Sequence, residues 1–172
     1  MLGRYIRAMD VLHQACVFIA GACLVLITLI VPWGVFTRYV LNSAASWPEP
    51  MAELLMIVMS FFSSIVCYRE YLHIGVGVLP ALLTGTTKAM LGIAIELCMA
   101  ATTLFMLWFG IKLCETTWYQ GIAEFPAMSV GLSYLPIPIA GAITTLFIIE
   151  RFLTGQFFKD LTVEETATMS TE

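Results

Sequence analysis

Few of the 172 residues carry side chains that do chemistry, and their spacing limits what that chemistry could be. There are two histidines, His13 and His73. Two imidazoles are the minimum set for bis-histidine haem ligation, which requires ligands on facing helices at matched depth. His13 lies close to Asp10, and His73 follows Arg69 and Glu70, so both belong at one edge of the apolar segments. An interfacial polar role is therefore favoured over a haem site. The five cysteines, Cys16, Cys23, Cys67, Cys98 and Cys114, include no CxxC pair. Within apolar segments, free cysteine acts as a small apolar residue, so no disulfide framework, metal site or cofactor is expected.

Glu96 is the most informative single residue. It comes eight residues after Lys88, which places it roughly 12 Å along a helix that starts there. Ionisable groups at such depth are costly and usually face a protein partner or a cavity. Gly92, Glu96, Ala100 and Thr103 fall on one helix face that is otherwise small, so another helix can approach it closely. A proton or ion relay is one reading. A structural hydrogen bond, inside the bundle or to a second subunit, is the favoured one, because a single carboxylate makes a poor relay. Arg38, Glu49 and Glu53 form a second set, an ion-pair cluster able to fix the first loop against the second helix. The chain has no glycine-rich nucleotide loop, Walker motif or nucleophile elbow.

The elements that position these residues follow from the charge pattern. The chain is 60% hydrophobic and 12% charged, with a mean hydropathy of +0.91. A soluble domain carries about 25% charged residues. This composition excludes a disordered chain, a nucleic-acid binder and an ordinary soluble enzyme. Positions 11–37, 54–68 and 125–149 contain no charged residue, and 89–111 contain only Glu96. A transmembrane helix needs about 20 residues. The second stretch is short, but a start at Pro48 or Pro50 lengthens it, with Ser46 and Glu49 at capping-box spacing or Glu49 itself as the cap.

The fold class expected is all-α integral membrane, with four transmembrane helices spanning about 11–36, 49–70, 89–111 and 128–150. A single membrane domain covers 1–155, and 156–172 form a mobile cytoplasmic tail. The first stretch is too long for a signal-peptide core and reads as a retained helix. With four spans, Arg4, Arg7, Arg69, Lys88, Arg151 and Lys159 fall on one side, and Arg38 and Lys112 on the other. This bias places the N and C termini in the cytoplasm. Short loops fit a compact bundle. Trp33, Tyr39, Trp47, Trp118, Tyr119 and Tyr134 mark the outer membrane interface, with Tyr68 and Tyr71 at the inner one. The segment Val76 to Leu83 is too short to cross and reads as interfacial. Four plain helices without repeats or a midplane site amount to an accessory subunit rather than a complete pump.

Several motifs occur in an order that matches a known family. Arg38-Tyr39 is followed by Ser46-Trp47-Pro48-Glu49, then by an apolar helix ending in Tyr68-Arg69-Glu70-Tyr71-Leu72-His73-Ile74. Leu132-Ser133-Tyr134-Leu135-Pro136-Ile137-Pro138-Ile139 precedes the fourth span. Over about residues 8 to 153 this resembles the small, DctQ-like membrane subunit of tripartite ATP-independent periplasmic (TRAP) transporters. Pro50 departs from the pattern, since the family often has a second acid there; Glu53 is the substitute at hand.

The resemblance implies an accessory subunit, not an enzyme, in the bacterial inner membrane. Its partners would be a large sodium-coupled transport subunit, membrane lipids and, transiently, a periplasmic binding protein. The cargo would be an organic acid of the dicarboxylate, keto acid or sialic acid class, with no substrate site on this chain. Arg38, Tyr39, Trp47, Glu49, Glu53, Arg69, His73 and Glu96 are then the candidate partner-interface or structural residues. Competing readings are a haem-bearing electron-transfer subunit using His13 and His73, and a small stand-alone transporter.

Overall fold

The computed structural model describes residues 2–43, 45–70, 86–122, 125 and 128–154. His73, the segment Val76 to Leu83 and the tail 156–172 lie outside the described residues. Among the described residues there are five helices: α1 Leu2–Tyr39, α2 Pro48–Arg69, α3 Thr86–Thr117, α4 Val130–Tyr134 and α5 Pro136–Thr154. Four segments of the described residues are long and apolar enough to cross a membrane: Tyr5–Tyr39, Pro48–Arg69, Met90–Thr117 and Val130–Leu153, the last formed by α4 and α5 together.

The helix ends follow from local chemistry. α1 runs 38 residues, roughly 57 Å, well beyond the roughly 30 Å of a hydrocarbon core. Pro32 sits inside it without ending it. The chain turns where Asn42 adopts a φ of 47°, a left-handed conformation that asparagine tolerates better than most residues. There the Ser43 N–H reaches back to the Thr37 carbonyl at 3.1 Å.

α2 starts differently from the expected capping box. Trp47 is its N-cap and makes no side-chain cap bond. A helix start leaves four N–H groups without intrahelical partners. Here two of those four positions are Pro48 and Pro50, which carry no N–H, so proline removes much of the need for a cap. Before α4, the Ser129 side chain accepts from the Leu132 N–H at 3.3 Å, a genuine cap. Pro136 then opens α5 immediately after the Leu135 break.

The packing is an open row rather than a closed bundle. α1 packs along α2, α2 along α5, and α5 along α3, while α1 and α3 are not packed along each other. The α3–α5 approach is set by glycine. A Cβ on Gly141 would lie 2.9 Å from the Thr103 carbonyl oxygen and 3.0 Å from the Leu107 nitrogen. A Cβ on Gly110 would lie 2.9 Å from Pro138 Cδ. Helices in lipid associate through such close backbone packing rather than through hydrophobic exclusion. From the small face, Glu96 and Thr103 thus meet α5 of the same chain, at Arg151 and at Gly141 and Thr145. The core joins Met9 and Cys16 of α1, Ile65 and Tyr68 of α2, and Ala140, Phe147 and Ile148 of α5. Large apolar side chains such as Phe18 and Leu29 on α1, and Phe105 and Trp108 on α3, point outward, as a membrane solvent allows.

Candidate functional site

Polar side chains gather at both ends of the row. At the end where α1 starts and α2 finishes, Tyr68 and Arg69 of α2 and its C-cap Glu70 are held by side chains and carbonyls of the other helices. The Tyr68 hydroxyl donates to Glu96 Oε2 on α3. Glu96 Oε1 accepts from Arg151 Nη1 of α5 at 2.7 Å. The other nitrogen of the same guanidinium, Nη2, donates to the Tyr68 carbonyl. The Arg151 guanidinium carbon also lies 4.1 Å from the centre of the Tyr68 ring. Glu96 is 1% exposed and Arg151 5%, so this is a buried ion pair with hydrogen bonds on both carboxylate oxygens.

Arg69 forms the neighbouring knot. It donates to the Met9 carbonyl at 2.9 Å and to Asp10 Oδ1 at 2.6 Å, both on α1. It also reaches Glu150 Oε1 of α5 at 3.3 Å, and its guanidinium lies 5.0 Å from the centre of the Phe147 ring. His13 Nε2 lies 3.3 Å from Glu70 Oε1, which commits His13 to a carboxylate within this chain. Tyr5 donates to the Leu146 carbonyl at 2.9 Å. Through these bonds α1, α2, α3 and α5 are all tied at one end.

Two expectations change here. Tyr68 is 3% exposed and packed inside the row, so it is not an interfacial belt residue. Glu96 is also less deep than its count from Lys88 implies. Its partners are the penultimate residue of α2 and a residue three before the end of α5. α3 extends ten residues further beyond Glu96, to Thr86. The carboxylate therefore lies level with the ends of the neighbouring helices, and α3 projects past them.

At the opposite end, Arg38, Tyr39, Glu49 and Glu53 line one groove of about 450 Å³ between the end of α1 and the start of α2. Arg38 Nη2 stands 3.8 Å from Glu49 Oε2, and their side chains are 59% and 89% exposed. Gly34 allows the approach of α2, since a Cβ there would meet Pro48 Cβ at 3.2 Å. Trp47 stands exposed beside the groove. Of the expected site residues, the structure thus gathers Arg38, Tyr39, Glu49 and Glu53 in one place. It puts Arg69 and Glu96 in adjoining knots at the other end.

The family model for the DctQ component of tripartite ATP-independent periplasmic transporters matches residues 27–157, more than half of the chain. The chain belongs to the DctQ family. A DctQ protein is a transporter component, and the four apolar spans make this member a multi-pass membrane protein. The chain is also similar to a Haemophilus influenzae protein assigned as a TRAP transporter small permease. The two are 26% identical over 153 residues, which is 86% of this chain and 91% of the relative. The DctQ match begins in the second half of α1, so Asp10 and His13 lie before it, whereas Tyr68, Arg69, Glu96, Glu150 and Arg151 lie within it.

Tyr68, Asp10, Glu150 and Arg151 are structural residues that reading the sequence did not single out. A signal for Arg151 was present: a carboxylate within a span requires a cation at its own level. Counted along the chain, Arg151 falls at the edge of its span and Glu96 inside its own, so span limits alone do not pair them.

Proposed function

We propose that this chain is the small accessory subunit of a sodium-coupled TRAP importer in the bacterial inner membrane. Its role is to hold the large transport subunit in place. A periplasmic binding protein delivers the cargo, an organic acid of the dicarboxylate, keto acid or sialic acid class, and the large subunit moves it inward. Both termini face the cytoplasm, in keeping with the excess of Arg and Lys at that end. Residues 1–155 act as one membrane domain, with 156–172 as a cytoplasmic tail.

The observation that carries the reading is the in-chain pairing of the charged groups at the α2 end. Glu96 is engaged by Arg151 and Tyr68, and Arg69 by Asp10 and Glu150. A group that relays ions must exchange partners during transport, whereas a clamp keeps them. These side chains serve as clamps that give the row a fixed shape, and the large subunit docks on that shape. Arg38, Tyr39, Trp47, Glu49 and Glu53 serve the opposite end of the same scaffold, in the membrane interface.

The test is co-purification and uptake with Glu96→Leu. The expected result is a loss of complex with the large subunit and an equal loss of uptake, while the complexes that remain keep unchanged substrate affinity. An intact complex that has lost sodium coupling would overturn the scaffold role. So would uptake into vesicles containing this chain alone.

A further inference from the structure

We propose that the groove between the end of α1 and the start of α2 is a binding site for one phospholipid, with a zwitterionic headgroup bearing a primary ammonium. Arg38 takes its phosphate, and Glu49 and Glu53 take its ammonium. The proposal rests on the membrane-spanning assignment and not on the transport reading.

The polarity of the two walls argues for an amphiphile. Along α1 the groove is lined by Val31 and Val35, one turn apart, and then by Arg38 and Tyr39 in the next turn. Along α2 it runs from Glu49 and Glu53 to Met56. Residues three and four apart stack on one helix face, so each wall is a continuous stripe. Because the helices are antiparallel neighbours, both stripes change from charged to apolar in the same direction, from the helix ends toward mid-span. A soluble metabolite or a protein loop has no reason to match that gradient, whereas a lipid has its charge and its hydrocarbon in this order. The groove holds about 450 Å³, within the roughly 300–1,000 Å³ typical of small-molecule sites.

The charges select the headgroup. The lining offers one cation and two carboxylates. A purely anionic lipid would satisfy Arg38 but bring a negative charge beside two others. A zwitterion completes both signs. The Arg38–Glu49 separation of 3.8 Å is longer than the roughly 2.7–2.9 Å of a closed charge-assisted bond, and both groups are largely exposed, so neither is committed to the other. Glu49 and Glu53 are one turn apart on the same face. A primary ammonium has three N–H donors with which to bridge two carboxylates, and a quaternary ammonium has none.

The experiment is native mass spectrometry of the delipidated full-length chain in detergent. Phosphatidylethanolamine, phosphatidylcholine and phosphatidylglycerol of identical acyl chains are titrated in turn. The expected result is at least tenfold tighter retention of the ethanolamine lipid than of the other two. The double variant Glu49→Gln with Glu53→Gln should abolish that preference. Arg38→Gln should weaken all three lipids together, because each presents a phosphate. Unchanged helical circular dichroism and a monodisperse elution show that the variants fold. Equal retention of the three lipids, or an ethanolamine preference that survives the double variant, would overturn the proposal. So would a preference for the choline lipid, which would favour Tyr39 and Trp47 as aromatic partners of the cation.

Discussion

A buried ion pair costs more to halve than to remove whole. Removing a single partner leaves an uncompensated charge in a low-dielectric site, at a cost of about 3–5 kcal/mol. Glu96 and Arg151 are in that position, each nearly fully buried. Arg151→Gln and Glu96→Leu should each lower the thermal unfolding midpoint in detergent sharply. The double variant Glu96→Leu with Arg151→Met should be more stable than either single one, because it removes both charges at once. Simple addition of the two single effects would show that the groups act independently, against the geometry. The exposed Arg38–Glu49 contact is the internal control. Pairs of that kind contribute about 0–1 kcal/mol, so Arg38→Gln should leave the midpoint almost unmoved.

At the level of elements, the α3–α5 contact depends on backbone proximity. Gly141 has no room for a side chain, since a Cβ would press on the backbone of Thr103 and Leu107 rather than on a flexible tip. Gly141→Ala should therefore push α3 from α5 and loosen the Glu96–Arg151 pair at the end of the same contact. The check is a thermal melt beside one of Gly21→Ala, where a Cβ meets nothing within 4 Å. Similar midpoints for the two variants would mean that the glycine contact does not hold the helices. The start of α2 is legible in a different way. Its two prolines were visible in the sequence, and they solve the capping problem that Ser46 and Glu49 were expected to solve.

For the whole molecule, the open row leaves α1 and α3 at its two edges, α1 packed on α2 and α3 on α5 and the short α4, each with a broad apolar flank. All four helices are tied at the α2 terminus, while at the other end α1 and α2 enclose an open groove. Such a row is stiff at one end and accessible at the other. The excess of basic residues sets its expected orientation. Reporter fusions active only in the cytoplasm should be active at both the N and the C terminus, and inactive when inserted after Ser43. Activity at one terminus alone would require an odd number of crossings and would overturn the four-span topology.

The spans can be read along the chain. Their positions follow from the cost of placing charge in hydrocarbon, a local property that can be counted along the chain, and the four apolar segments of the fold lie where the charge-free stretches lie. The sequence also shows that Gly92, Glu96, Ala100 and Thr103 form a face small enough to meet a helix, because a helix's periodicity is local too. Which helix that is follows from packing alone. Glu96 and Arg151 are separated by 55 residues, and no spacing rule connects them. Their meeting depends on α5 lying between α2 and α3, and on α3 projecting beyond its neighbours so that its buried acid comes level with their ends. Depth counted along one helix is measured from that helix's own start. The depth that governs an ion pair is shared among several helices, and it exists only once they are packed.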